Sequence, residues 1–541
     1  MSLTNNPDIQ KALVYYKGLE EMKDFAELFF PHYCKAPFSS MHEAFFEDER
    51  DWQRRGRMEV IAAPRGNAKT TLKVILKTLH AVLYQTDPYI LLVCQTASEA
   101  QQRVTTVANE LRDNPAIHAV FGDVLGRSIR PGVKASFETM TGIKVEAISV
   151  RQSPRGRLSK GNRPSLVICD DMESLDSAYS SMKREKLKEW FFKDLMKVGQ
   201  SNGQLNVIVV GTLLHPDCLL NDLLNSPGWQ GHRYQAVLSE AKNQSLWSQW
   251  RERITDLTNP TRREAADAFF EVNQSSMLEG ARVLWPEVES YKSLMEMRVF
   301  EGEAAFLSEK QNDPYNMARM LFDMSQAHFC YIDTQQGVIH YRDETIPLSA
   351  LYCVAYHDPS EGESESGDYS ALVVVGKDKY GRLFVLDDCT QKVPYDEQIQ
   401  LAYHLKEKWG FTMLLLESNG AQGLFVPLYD KLVPHNHSRL HVVEQLSAQK
   451  KQLRIGTLQP LIANGQLIFS DRLSPELMEQ MRLFPTASHD DGPDALHGAV
   501  AYLLNQSLFY TTRASMEVPQ INPSSRRKSV SNRRAKPPRP H

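Results

Sequence analysis

Two groups of residues in this sequence have the types and spacing of reactive sites. The first is "IAAPRGNAKTT", residues 61–71, close to the phosphate-binding pattern G-x-x-x-x-G-K-[ST] except that Ala63 and Ala68 stand where the pattern has glycine. In such a loop backbone N–H groups and a helix N-terminus face phosphate, a lysine neutralises the outer phosphates, and a hydroxyl holds magnesium. Lys69 fits the first of those side-chain roles, and Thr70 and Thr71 fit the second. Gly66 supplies one flexible position, and alanine can replace the glycines where the backbone needs no positive φ. The plain alternative is a helix N-terminus that happens to carry a lysine. Further on, "PSLVICDDMES" ends an apolar run in Asp170 and Asp171, with Glu173 just beyond. Alone, such acids often cap the next helix. Behind a lysine loop, one would order magnesium through water and the next would polarise the attacking water. A third apolar run, in "VIVVGTLLHPD", ends beside Thr212.

The second group is acidic. "LYCVAYHD" ends in Asp358, "FTMLLLES" carries Glu417 at its end, and "SHDDGPDALHGAVAYLLNQ" holds Asp490, Asp491 and Asp494. Carboxylates gathered from such separate segments bind two divalent metals about 4 Å apart, one activating water and the other stabilising the leaving oxygen of a phosphodiester. Taken singly, Asp358 could open a turn, Glu417 could cap a helix and the Asp cluster could face a helix dipole. An apolar run that twice ends in an acid, joined by a third acidic cluster, favours the metal site.

The elements that must position these groups are legible as two α/β series. "MEVIAAP", "YILLVCQT", "PSLVICDD" and "NVIVVGT" are strand candidates separated by helical stretches, which predicts a parallel sheet covered by helices. In a parallel sheet the ends carrying Lys69, Asp170 and Thr212 converge, because ligands collect at the carboxyl edge. From about 240 to 310 the strands stop and charged helical sequence forms an appendage to the first domain. The second series opens at "LYCVAYHD", continues through "YSALVVVG" and "GRLFVLDD" as a meander, and reaches "FTMLLLES" after a helix. Strand, strand, strand, helix, strand, with acids at the first and fourth strand ends and on a late helix, is the order of a ribonuclease H-like fold. The boundaries expected are 1–310 for a P-loop ATPase domain, 311–344 for a connector, 345–507 for a ribonuclease H-like nuclease domain and 508–541 for a tail.

Composition bounds the rest. A chain of 541 residues favours two to four domains, and 42% hydrophobic with 24% charged residues is ordinary for a globular protein. The seven cysteines are scattered without a C-x-x-C pair, which argues against a zinc or redox centre. No run suits a bilayer and the start lacks secretory features, so a soluble cytoplasmic protein is expected. A net charge of −4 excludes a generally basic coat for nucleic acid and leaves room for a local basic channel. The tail, with Arg526, Arg527, Lys528, Arg533, Arg534 and Lys536, reads as a disordered basic end.

The two groups, in this order, resemble the large terminase subunit of tailed bacteriophages, the motor that packages DNA into procapsids. Members carry a deviant phosphate loop with an arginine four residues before the lysine, where "PRGNAKTT" has Arg65. The similarity extends through "SPRGRLSKGNRPSLVICDDME", "VVGTLLHPD", "LWPEVES" to "EKQNDP", "LLLESNGAQG" and "HDDGPDALHGA", most of residues 35–505. It implies that Arg65, Gly66, Asn67, Ala68, Lys69, Thr70, Thr71, Asp170 and Thr212 surround ATP and its Mg2+, with Arg65 at the γ-phosphate. The acid after Asp170 is usually glutamate in the family; here Asp171 holds that place, with Glu173 as its rival. Asp358 and Glu417 match the first two nuclease ligands, for two Mg2+ or Mn2+, and the third lies among Asp490, Asp491 and Asp494; Asp491 and Asp494, on the same side of a helix at a spacing of three, are preferred, with Asp368 as an assistant. The helical stretch from about 240 to 310 is then expected to be a lid or transmission element. Implied partners are double-stranded DNA, the procapsid portal and the small terminase subunit. The implied assembly is a homo-oligomeric ring when docked and a monomer in solution. The implied location is the host cytoplasm and, transiently, the portal, with no membrane. The rival readings are a helicase-like ATPase with a non-cleaving DNA-binding domain, a recombinase or resolvase with an ATPase loader, and a structural procapsid component.

Overall fold

A computed structural model describes residues 7–50, 54–126, 135–200, 202–313, 322–360, 368–418, 425–433, 439–446, 450–485, 487 and 489–506. The basic tail expected from 508 lies outside the described residues.

The first sheet comprises β1 (Met58–Ala62), β2 (Tyr89–Cys94), β3 (Ser136–Glu138), β4 (Lys144–Ser149), β5 (Leu166–Asp170), β6 (Asn206–Gly211) and β7 (Gln230–Arg233), in the order β3-β4-β2-β5-β6-β1-β7. All neighbours are parallel except β3 and β4. Every residue of β2 and β5 is buried, as expected of continuous apolar strands covered on both faces. The pleat sends alternate residues to opposite sides. Ile61, Ile90, Ile168 and Ile208 join one core with the N-terminal helices, while Val60, Leu91, Val167 and Val207 join the other with Leu187 and Phe191. Three of the strands, β4 among them, are additions to the sequence expectation. "KVEAIS" in β4 alternates and is only half buried, so it lacks the apolar run that marks its neighbours.

The helical appendage expected from about 240 is present as the helices Gln244–Thr255, Arg262–Met277 and Tyr291–Phe300, closed over Trp247, Trp250, Phe270 and Tyr291. A short antiparallel ribbon pairs β8 (Val237–Ser239), ahead of the first of these helices, with β9 (Arg282–Val283), between the second and the third.

The second sheet comprises β10 (His328–Asp333), β11 (Val338–Tyr341), β12 (Glu344–Pro347), β13 (Tyr352–Asp358), β14 (Ser370–Lys377), β15 (Leu383–Gln391), β16 (Met413–Glu417), β17 (His441–Gln445) and β18 (Leu467–Ser470). Its order is β12-β11-β10-β18-β15-β14-β13-β16-β17. The β13–β15 meander is antiparallel and β16 returns parallel to β13, as the sequence order predicts. The stretch 311–344 is more than a connector: β10, β11 and the start of β12 lie within it and pair into this sheet through β18. Their half-exposed alternation gives a weak sequence signal. The helix Asp491–Asn505 lies across β13 and β14. Its close approach depends on Gly498, where a Cβ would come within 2.2–2.5 Å of three Tyr356 ring carbons.

Candidate functional site

Because β5, β6 and β1 are adjacent and parallel, the segments after Ala62, Asp170 and Gly211 leave the sheet at one edge. The loop after β1 turns at Gly66 (φ 87°) and again at Ala68 (φ 56°). The second value departs from the expectation that alanine is allowed because no positive φ is needed. The left-handed well admits alanine at a cost of about 1–2 kcal/mol, and surrounding contacts hold it there. Buried His42, on the helix Ser40–Asp48, is one such contact: its Nδ1 accepts from the Ser39 N–H at 3.0 Å and its Nε2 meets the Asn67 carbonyl at 3.1 Å. Burial lowers the His42 pKa, which keeps the ring neutral and suited to both bonds. Beyond the loop the helix runs through π-helical turns at Thr71–Leu76 before it becomes regular at Lys77–Leu83.

Lys69 is buried and donates to the Ala63 carbonyl at 3.1 Å and the Thr212 hydroxyl at 2.5 Å, with Asp171 Oδ1 at 3.7 Å. Burial lowers its pKa, opposed by Asp171 and Asp170. The Thr70 hydroxyl donates to Asp170 Oδ1 at 2.9 Å, and Arg103 donates to Asp170 Oδ2 at 2.8 Å. Burial, reinforced by the Asp171 charge, raises the Asp170 pKa. Thr71 opens the π-helical stretch, so of the two threonines it is Thr70 that reaches the acid.

The two rivals for the second acidic role part company. Asp171 adopts φ 44°, donates its N–H to the Val210 carbonyl, and leaves a half-exposed side chain beside Lys69. Glu173 turns to the start of the helix Leu219–Leu224, where its carboxylate accepts from the N–H groups of Leu219 (3.3 Å) and Leu220 (3.5 Å). That is the capping role of an acid near a helix N-terminus. Arg65 is 73% exposed and held by Glu309 at 2.8 Å. Lys310 donates to the Arg65 carbonyl at 2.8 Å and to Glu289 at 2.6 Å. Asn312 accepts from the Leu213 N–H at 2.9 Å. The segment around "EKQN" therefore braces two of the three loops at this edge. His42, Arg103, Glu309 and Lys310 escaped the sequence reading, since nothing local marks a residue whose partner lies far along the chain.

In the second sheet, parallel pairing of β13 and β16 places His357 beside Leu416, so Asp358 and Glu417 emerge together. Asp494, one turn into the helix Asp491–Asn505, completes the group: ligand oxygens of Asp358, Glu417 and Asp494 all lie within 4.8 Å of one another, and all three residues are buried. Burial, added to by Glu417, drives the Asp358 pKa well above the carboxylate range, and burial pushes Asp494 up to about 6. Two cations on the helix Lys451–Gly456 neutralise the cluster. Arg454 donates to Glu417 at 3.0 Å and also to Asp494, while Lys451 reaches Asp491 at 2.6 Å, Asp490 at 2.8 Å and Asp494 at 3.8 Å. Asp491 falls outside the three-acid group; it lies instead with Asp368 and His489. Three oxygen donors in a buried, low-dielectric corner suit a hard divalent cation such as Mg2+ or Mn2+. Lys451 and Arg454, at i and i+3 in "KKQLRIG", left no signal that distinguished them from a solvated basic turn.

No family model and no curated protein matches the chain. Among solved structures, the large terminase of a thermophilic bacteriophage is 10% identical with a TM-score of 0.41, over 87% of this chain and 99% of that one. The nuclease of a second thermophilic phage's large terminase, with bound zinc, is 16% identical with a TM-score of 0.26, over 34% and 97%. The human cytomegalovirus terminase nuclease domain, manganese-soaked and inhibitor-bound, is 14% identical with a TM-score of 0.25, over 29% and 86%.

Proposed function

We propose that the chain is an ATP-driven double-stranded DNA translocase joined to a metal-dependent endonuclease, the large subunit of a viral DNA-packaging terminase. The observation that carries this reading is the presence, in one chain, of a lysine loop facing two strand-end acids and of a separate buried group of three acids. In the first site Lys69, already directed at Thr212, neutralises the outer phosphates of ATP, and Thr70 with Asp170 holds its magnesium. Asp171 is the acid free to polarise water, because Glu173 is engaged at a helix N-terminus. Arg65 exchanges Glu309 for the γ-phosphate, and Gly66, Asn67 and Ala68 offer backbone N–H groups. In the second site Asp358, Glu417 and Asp494 would hold the divalent cation, which supplies an activated water and charge neutralisation at a phosphodiester. Arg454 and Lys451 keep the acids compatible with burial and screen the approach of a DNA phosphate. A motor that must accept any sequence contacts DNA through phosphates rather than base edges. The portal, the small terminase subunit and a ring assembly belong to the same reading.

The ion pairs to Arg454 and Lys451 favour a second reading, in which the acids and bases form a purely structural network and the second sheet binds DNA without cutting it. Paired substitutions decide between them. Lys69→Ala should abolish ATP hydrolysis and packaging while leaving plasmid nicking in Mg2+ or Mn2+, and Asp358→Ala or Glu417→Ala should do the converse. Full ATP turnover by Lys69→Ala would sink the motor assignment. Nicking that survives both acid substitutions would move the nuclease elsewhere.

A further inference from the structure

Away from both acidic sites, the helical appendage meets the body of the second sheet around a cavity of about 300 Å3. Gln244, Trp247, Ser248 and Arg251, at helical spacings of three and four, line it from the helix Gln244–Thr255. Met295 of the helix Tyr291–Phe300 and the helix Leu458–Ala463 supply further wall. Three contacts pin these walls together. Asn464 donates to the Val299 carbonyl at 2.7 Å, the Glu303 N–H donates to Gln459 Oε1 at 3.1 Å, and Arg251 donates to Asn464 Oδ1 at 3.0 Å. Gly302 (φ 92°) permits the close approach, since a Cβ there would stand 2.4 Å from Gln459 Oε1. The cavity is thus preformed, as small-molecule sites between packed bodies usually are.

Two of its groups lack the partner their chemistry calls for. Trp250 is 1% exposed, and its indole Nε1 has no hydrogen-bond partner among the described residues. Trp247 stands edge to face with it at 5.3 Å, and a ring face is a weaker acceptor than an oxygen. Arg251 is half-buried, and its hydrogen bonds among the described residues go to neutral oxygens of Asn464 and Ala463. The carboxylate that acts on it, Glu303, is already taken by Arg298 Nη2 at 2.7 Å, and burial pulls the Arg251 pKa down. We infer that this cavity binds a small planar anion, an aromatic ring carrying a carboxylate or a phosphate. The guanidinium fork of Arg251 matches either oxyanion. Trp247, Phe322 and Met295 offer ring faces and a thioether to the aromatic body. Water would satisfy the Trp250 N–H and still leave Arg251 without a counter-charge, and a neutral ligand would desolvate Arg251 with no return. A seated anion touches both walls and so ties the appendage to the second sheet, whether or not the chain packages DNA.

The test uses the full chain, titration calorimetry and three probes: naphthoate, its neutral isostere naphthamide, and thymidine monophosphate. Naphthoate, thymidine monophosphate or both are expected to bind with a Kd of about 1 mM or tighter, the efficiency usual for ligands of that size. Which of the two binds tells a carboxylate ligand from a phosphate ligand. Arg251→Gln should weaken the binding at least tenfold, the cost of losing a charge-assisted hydrogen bond. Naphthamide should bind at least tenfold more weakly than naphthoate for the same reason. Ser248→Trp, at an exposed position of the wall, should fill the cavity and abolish binding without touching the core. A parent that binds neither anion, naphthamide that binds as tightly as naphthoate, or binding that Arg251→Gln and Ser248→Trp leave unchanged overturns the proposal. Thymidine monophosphate that ATP displaces and Arg251→Gln does not weaken sits at the lysine loop instead, and equally overturns it.

Discussion

Replacing Arg454 tests whether the three acids are a metal site or a self-contained ion network. The guanidinium lies between Glu417 and Asp494, with both acids buried at 4% and 2% exposure. Burial pulls its own pKa down, but Asp494 and Glu417 more than offset that and hold it raised. Arg454→Met keeps most of the side-chain volume and removes the charge, leaving Asp358, Glu417 and Asp494 to repel one another away from water. Removing one partner of a buried pair costs about 3–5 kcal/mol. A dication that occupies the acids supplies the missing positive charge, so the loss should shrink by more than half in saturating Mn2+. Hydrogen exchange of the helix Asp491–Asn505 reads this locally. In EDTA its slowest amides should exchange about two to nearly four orders of magnitude faster in Arg454→Met than in the parent, at about 1.4 kcal/mol per decade. With Mn2+ most of that acceleration should disappear. Equal acceleration with and without Mn2+ would refute the reasoning and leave a structural network.

Two further outcomes follow from the same geometry. Ala68→Gly should raise stability by about 0.5–1 kcal/mol in a thermal melt, because relief of the left-handed alanine exceeds the extra freedom that glycine gives the unfolded chain; a lower melting temperature contradicts the φ of 56°. In metal-free protein, Asp494 at about 6 binds its proton more tightly folded than unfolded. The resulting stability is present below about pH 3.8 and is lost as pH rises through 6, by up to about 3 kcal/mol. Stabilisation by Mn2+ should grow over the same window as the proton leaves, and melts in EDTA and in Mn2+ at matched pH values check both slopes.

The sequence by itself determined what depends on continuous local patterns. Buried parallel strands read as apolar runs, so the ends carrying Lys69, Asp170, Thr212, Asp358 and Glu417 could be placed at sheet edges, and the β13–β15 meander followed from the spacing of its turns. Half-exposed strands such as β4, β10 and β11 escaped, because their alternation is shared with loops and surface helices. Choices among neighbouring residues of the same type needed the tertiary structure. Asp171 and Glu173 are equivalent on paper until the helix Leu219–Leu224 presents its N–H groups to one of them. Asp491 and Asp494 share a helix face, yet once that helix packs on the sheet, with Gly498 against Tyr356, Asp494 joins the acids and Asp491 lies with Asp368 and His489. The cations that balance these sites, Arg103, Lys310, Lys451 and Arg454, were beyond reach for a related reason: an ion pair is specified by distance in space, and Arg454 with Glu417 or Arg65 with Glu309 are brought together only when the sheets and helices pack.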